Sequence, residues 1–343
     1  MRAAIFDEPG RPLRLAEVPD PIPGPRQALI RVAACGVCGS DLHATTGEDC
    51  MARRGGILGH EVTGEIVRLG SEHSGDWTVG DRVYAIPIGS CGSCPRCMLG
   101  QPERCPDQNP FGALGADQPD GAYADLVAVS TSDLLLVPDG VAMDVAALSE
   151  PLATGLMCVR RAGLSIGDRV LVLGGGPIGL AATLWARFFG ARSVVVSEYL
   201  EHRLDLATSM GATATIDPAG HDVASRFVEL TGGEPDVVIE AVGRPGMLDQ
   251  AISLVRQQGR VVTGGVCMEP DGFDHLAAYA TEPVILTARV YTRAENEFIL
   301  EMIAAGRIDP SPLISHRITL GDLPGAFEEL RTPTDQCKVL VMP

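Results

Sequence analysis

The six residues Gly174-Gly175-Gly176-Pro177-Ile178-Gly179 follow an apolar run at 169–173 and open an apolar stretch with helical character to about residue 189. A bare G-x-G-x-x-G string says little. Between a buried strand and a helix it dictates a strand–turn–helix unit whose helix N-terminus offers backbone amides and partial positive charge to a phosphate. Gly174 allows the tight turn, Gly176 lets the backbone approach a pyrophosphate, and Gly179 lets the helix pack closely on the strand. Gly174, Gly176, Pro177, Ile178 and Gly179 are therefore the candidate cofactor-binding residues of this loop. The next strand ends at Glu198, nineteen residues beyond Gly179. A carboxylate there accepts hydrogen bonds from the ribose hydroxyls and repels a 2′-phosphate, which favours NAD over NADP. Arg203 keeps the phosphate alternative open, because a guanidinium nearby could pair with it.

Around this loop the sequence alternates. Strand-like runs at 169–173, 194–197, 214–216, 237–240 and 260–264 are separated by helical stretches such as 201–210. Strands apolar on both faces, alternating with helices, predict a doubly wound parallel sheet of the α/β class. From residue 1 to about 150 the pattern differs: short Val- and Ile-bearing runs at 29–33, 62–69, 82–86 and 123–129 are punctuated by Gly and Pro, as in a mostly-β domain with long loops. After about residue 285 the alternation weakens to a helix at 295–305, a Pro-broken segment at 308–313 and a closing strand at 338–341. That remnant is too small for a core of its own, so it is expected to return to the first domain.

Four cysteines lie at Cys91, Cys94, Cys97 and Cys105, spaced two, two and seven residues apart among turn-forming Gly and Pro. Such a loop can close a tetrahedron of thiolates around zinc. A pair of disulfides fits a small secreted scaffold, not a chain of 343 residues. An iron–sulfur loop shares the first spacings, but its last gap is shorter. With 27 basic against 44 acidic side chains, the net charge of −17 repels a phosphate backbone, so a nucleic-acid-binding zinc ribbon is disfavoured. No leader-like apolar stretch opens the sequence and no run of about eighteen apolar residues is present to span a bilayer, so cytoplasmic residence with reduced thiols is expected.

Upstream stand Cys35-Gly36-Val37-Cys38-Gly39-Ser40-Asp41-Leu42-His43 and Gly59-His60-Glu61-Val62-Thr63-Gly64. Val79-Gly80-Asp81-Arg82-Val83, the cysteine quartet, Glu150-Pro151-Leu152 and the glycine loop follow in order. Cys35 and Cys38 alone would suggest a redox pair. Taken together, the elements resemble the zinc-containing medium-chain alcohol dehydrogenases, in the branch of the sorbitol, butanediol and threonine dehydrogenases, over nearly the whole chain. The resemblance implies a GroES-like, mostly-β catalytic domain at 1–152 with a structural-zinc lobe at about 89–107. It further implies a Rossmann dinucleotide-binding domain at 153–286 and a C-terminal return to the catalytic domain at 287–343.

It also implies two zinc ions per chain. Cys91, Cys94, Cys97 and Cys105 would hold the structural ion. Cys38, His60 and Glu150 would hold the catalytic one, with Glu61 beside the metal or touching it. Cys35 is then a small buried thiol, and Asp41 is expected to orient His60 from behind. Zinc would act on the substrate oxygen as a Lewis acid while NAD accepts the hydride. In relatives with this spacing the alcohol proton passes from the serine matching Ser40, by way of the nicotinamide ribose, to the histidine matching His43. Polyol dehydrogenases carry an arginine where this chain has Tyr291, flanked by Arg289 and Arg293. A less polar secondary alcohol, or its ketone, therefore fits at least as well as a polyol. Loops 45–54 and 109–114 are candidates to line the pocket. A homodimer or homotetramer is implied, with no nucleic-acid or membrane partner. Two rivals are a zinc-free quinone or enone reductase on the same scaffold and a zinc-ribbon interaction protein with a vestigial nucleotide fold.

Overall fold

In the computed structural model, strand Gln27–Gly36 is the hub of one sheet. It pairs antiparallel with Glu61–Leu69 along its length, with Leu126–Ser130 along its first half, and with Lys338–Met342 at its end. Its alternating and fully apolar stretches leave most of its side chains buried, which is what a strand covered on both edges requires. Arg82–Ala85 and Leu134–Leu136 extend the sheet beyond Glu61–Leu69, and Ile314–Thr319 lies parallel to Lys338–Met342 on the other side. A small sheet of Arg2–Phe6, Arg14–Glu17 and Gly56–Ile57 completes the β-structure of this unit. The core joins Ile30, Val62, Ile66, Tyr123 and Phe327. The structure describes residues 1–48, 50–112, 118–332 and 335–343; positions 49, 113 and 114 of the two candidate pocket loops lie outside them.

The run expected at 123–129 begins as a strand only at Leu126. Before it, Tyr123 bonds instead to two other segments, donating its N–H to Leu58 O and accepting from Ala4 N.

The chain divides into two units. One holds Met1–Glu150, Thr292–Asp309 and Ile314–Pro343; the other holds Pro151–Tyr291 and Pro310–Leu313. The second is built on six parallel strands in the order Ala214–Ile216, Ser193–Ser197, Arg169–Leu173, Val237–Glu240, Arg260–Thr263, Val284–Thr287. Strand order therefore reverses between Arg169–Leu173 and Val237–Glu240, leaving a crevice at their carboxyl ends where a dinucleotide binds in doubly wound sheets. Leu171, Val195, Val238, Val261 and Phe227 form its core. Val284–Thr287 is not among the strands expected from the sequence: it is four residues long, follows Pro283, and as the edge strand has three of its four residues exposed, so it lacks the buried apolar signature. Among the described residues no helix is long and apolar enough to cross a membrane.

Candidate active site and metal centres

Glycine at position 36 lets three distant segments meet. Gly36 sits opposite Glu61 on one neighbouring strand and opposite Leu340 on the other. A Cβ on Gly36 would lie 1.9 Å from Glu61 Oε2, so only a bare backbone leaves room for that carboxylate. Directly after this strand, Cys38 caps the short helix Gly39–Ala44, and Asp41 Oδ2 accepts the Cys38 N–H at 3.1 Å. His60 immediately precedes strand Glu61–Leu69. Cys Sγ, imidazole nitrogen and carboxylate oxygen of Cys38, His60 and Glu61 all fall within 4.8 Å of one another.

The imidazole is oriented from behind. His60 Nδ1 faces Asp41 Oδ1 at 3.3 Å, a charge contact more than an aligned hydrogen bond, while Asp41 Oδ2 also accepts from Tyr123 Oη at 2.6 Å. With Nδ1 turned to Asp41, Nε2 is the nitrogen available to a metal. Burial disfavours an imidazolium here, yet Asp41 and Cys38 outweigh it and push the His60 pKa well up: these anions make a site for positive charge. One thiolate, one imidazole and carboxylate oxygen form a donor set suited to zinc. Cys35 stands apart. It is fully buried, and burial, then the charges of Asp41 and Glu61, push its thiol far up and keep it neutral.

Glu150 opens helix Ser149–Arg161 and is buried, but it is not one of the three donors grouped within 4.8 Å. Its charge nevertheless reaches Tyr84 and Lys338, the same neighbourhood as Glu61. Ser40 is half-buried on helix Gly39–Ala44 and His43 is exposed on it. Three residues apart, they share a side of that turn.

Sequence reasoning missed two residues. Lys338 donates to Glu61 Oε1 at 2.6 Å, to Glu61 Oε2 at 2.8 Å and to Val37 O at 3.0 Å, fully buried. A signal existed: Lys338 is the only lysine in 343 residues, set in the apolar run Cys337-Lys338-Val339-Leu340-Val341, and a charge buried there needs a partner. Tyr123, which holds Asp41, left no such mark.

The quartet forms a second centre. Sγ–Sγ separations are 3.5 Å for Cys94–Cys97, 3.9 Å for Cys94–Cys105 and 4.0 Å for Cys91–Cys97. A tetrahedron with Zn–S bonds of about 2.3 Å has edges of about 3.8 Å, whereas a disulfide needs about 2.05 Å. Amides of Cys94, Cys97 and Cys91 donate to Cys91, Cys94 and Cys105 sulfur respectively, the bonds thiolates require. The amides of Ser93 and Cys94 pull the Cys91 thiol down to about 6.

In the second unit, Gly174 turns at φ +96° and a Cβ on Gly179 would meet Gly174 O at 1.9 Å. Helix Pro177–Phe188 begins there, with Gly176 at its cap and Gly176, Pro177 and Ile178 partly exposed. A Cβ at Gly176 would meet nothing nearer than Arg203 at 4.0 Å, leaving an open backbone face for a pyrophosphate. Glu198 is pinned beside the loop: Oε2 accepts from Gly175 N at 2.8 Å, and Oε1 from Tyr199 N at 2.7 Å and Leu200 N at 3.1 Å. Arg203 lies 3.7 Å from Glu198 Oε2.

Two family models match the chain: "Alcohol dehydrogenase GroES-like domain" over residues 24–139 and "Zinc-binding dehydrogenase" over residues 177–305. The chain is 32% identical to L-galactonate-5-dehydrogenase of Escherichia coli K12, covering 90% of this chain and 89% of that one. It is 30% identical to sorbitol dehydrogenase of Bacillus subtilis 168, covering 100% and 97%. Its structure is similar to that of a zinc-binding dehydrogenase target of Sinorhizobium meliloti 1021 bound to NADP, with TM-score 0.90, 32% identity, and coverage of 100% and 99%. The two donor groups, the glycine loop and these matches agree: the chain belongs to the zinc-containing medium-chain alcohol dehydrogenase family, oxidoreductases that interconvert alcohols and carbonyl compounds with zinc and a nicotinamide cofactor.

Proposed function

We propose that this enzyme interconverts a secondary alcohol of modest polarity and its ketone, with NAD as hydride carrier, at a zinc held by Cys38, His60 and Glu150. The observation that carries the reading is the grouping of Cys38 and His60 donor atoms with the Glu61 carboxylate beside them, and Asp41 facing the imidazole from behind. Glu61 is adjacent, beside the metal or touching it, with both its oxygens accepting from Lys338, and Glu150 is the third ligand that the family resemblance implies. Bound there, zinc would supply Lewis acidity to the substrate oxygen, and a nicotinamide at the glycine loop would supply the hydride acceptor. Ser40 Oγ would accept the hydroxyl proton while handing on its own, by way of the nicotinamide ribose, to His43, which is exposed on the same short helix and would pass it to solvent. Ser40→Ala is expected to lower turnover about 10²-fold or more with metal content unchanged; full turnover in that variant would remove Ser40 from the proton path.

Glu198, fixed by three amides next to the loop, favours the unphosphorylated ribose of NAD, with Arg203 partly offsetting its charge. Tyr291, buried where polyol dehydrogenases carry arginine, favours a substrate with fewer hydroxyls. A panel of secondary alcohols, vicinal diols, polyols and threonine, each with NAD and NADP, tests this by absorbance of the reduced nicotinamide. The highest kcat/KM is expected for a secondary alcohol or short diol with NAD. Turnover confined to polyols, or to NADP, would overturn the reading.

A homodimer or homotetramer is proposed on the edge strand Val284–Thr287. Its outer backbone is unpaired in the sheet and its Val284 and Ile285 are exposed, as are Leu276 and Tyr279 on helix His275–Thr281. An apolar edge of this kind suits a second copy. Ten free cysteines, eight of them in or near metal centres or buried, are suited to the reducing cytoplasm, which is the proposed location.

A further inference from the structure

Helix Gly39–Ala44 has only six residues, yet it carries both Ser40 and His43. A helix that short does not hold itself in water, so other parts of the chain must hold its ends. Its first turn is tied through Asp41, whose Oδ2 accepts from Cys38 N and from Tyr123 Oη. Its far end is tied to Arg331. Nη1 of that residue donates to Leu42 O at 3.1 Å and to Thr46 Oγ1 at 2.9 Å, and Nη2 donates to Thr45 Oγ1 at 3.0 Å. The two hydroxyls turn back onto the helix, Thr45 Oγ1 to Asp41 O at 3.0 Å and Thr46 Oγ1 to Leu42 O at 2.7 Å. The guanidinium is itself fixed. Nε and Nη2 donate to Glu328 Oε2 and Oε1 at 2.9 and 3.3 Å, and the group stands 5.4 Å from the centre of the buried Phe327 ring. All five of its N–H groups are thereby used. Phe327 in turn meets Tyr123 edge-on, so the two tethers of the helix share one buried ring.

We infer that Arg331 is a positioning residue that, by clamping the far end of helix Gly39–Ala44, sets the placement of Ser40 and His43 for proton transfer. This rests on the proton path through those two residues proposed above. The guanidinium grips the carbonyl of Leu42, the residue before His43, and the two threonines that close the last turn. Without it, that turn keeps only the bonds of its own hydroxyls, and its tether to the C-terminal part of the chain is lost. His43 then loses its fixed relation to Ser40, and proton transfer slows while the metal donors Cys38 and His60 stay in place. Arginine suits the task because one rigid planar fork reaches a carbonyl, two hydroxyls and a carboxylate at once. An ammonium, with three donors on one atom, cannot cover the same set.

The test is steady-state kinetics of full-length, zinc-loaded Arg331→Met in H2O and in D2O, with NAD and the alcohol that turns over fastest in the panel above. Its kcat is expected to fall about tenfold, with zinc content and the affinity for NADH, read by fluorescence, kept at the parent's values. The solvent deuterium isotope effect on kcat is expected to rise above the parent's, because proton transfer becomes the slower step. Arg331→Lys, which keeps the charge and some of the donors, is expected to fall between the two in both readings. A parent-like kcat in Arg331→Met would overturn the inference. So would a lowered kcat with an unchanged solvent isotope effect, which marks a merely structural role. If Arg331→Met does not accumulate folded, Arg331→Lys is read in its place: a raised solvent isotope effect supports the inference and a parent-like one overturns it. Ser40→Ala separates the underlying reading. Lowered turnover in that variant beside parent-like kinetics in Arg331→Met overturns the positioning role alone; full turnover in Ser40→Ala overturns both.

Discussion

Replacing His60 by alanine lowers turnover by about 10³-fold or more and releases one of the two metal equivalents held by the two donor groups. The size follows from what the imidazole does. It supplies one of few neutral donors among anions, and its ring is fixed by Asp41, which is itself tied to Cys38 N and Tyr123 Oη. Losing a bound Lewis acid removes several kcal/mol of transition-state stabilisation; about 4 kcal/mol corresponds to about 10³ in rate. Alanine also leaves Asp41 buried without the imidazole it faces, so the vacated space does not rebuild a metal site. Metal analysis by mass spectrometry and the initial rate of nicotinamide reduction check both parts. Undiminished turnover with one metal lost would separate the reaction from this site.

Cys105→Ser has a large effect of another kind. Between residues 89 and 107 only Cys105 is buried, while Met98 and Leu99 are 75% and 72% exposed. The lobe therefore has no apolar core, and four thiolates around a metal are expected to order it. In zinc-finger peptides such a site is worth about 10–16 kcal/mol. With one thiolate gone, the expected result is loss of one zinc, rapid amide exchange and protease cleavage between residues 91 and 105, and retention of the metal at Cys38 and His60. Hydrogen exchange read by mass spectrometry, with metal analysis on the same sample, measures this. Unchanged protection of the lobe after loss of its metal would show that other contacts hold it.

Much of this was legible in the sequence for physical reasons. Buried parallel strands are apolar on both faces, so 169–173 and 237–240 stood out, and the glycine loop is constrained at each position by a turn, an amide cradle or a close approach. Cys-x2-Cys-x2-Cys spacing survives translation into geometry because all four sulfurs come from one short loop. Lys338 was not legible in the same way. Its partner lies 277 residues away, and the two meet only because strands Glu61–Leu69 and Lys338–Met342 flank the same hub strand. The edge strand Val284–Thr287 escaped for the opposite reason, since three of its four residues are exposed and its pattern is not that of a core strand.

Hydride transfer here is proposed to depend on a metal at Cys38 and His60. The most direct measurement is nicotinamide reduction by one purified preparation, assayed with a secondary alcohol as isolated, after the catalytic metal is removed by a chelator that spares the quartet, and after zinc is returned. That dependence requires turnover, then its loss with the NAD affinity preserved, then its recovery in proportion to the zinc bound. Undiminished turnover in the metal-depleted protein would contradict it.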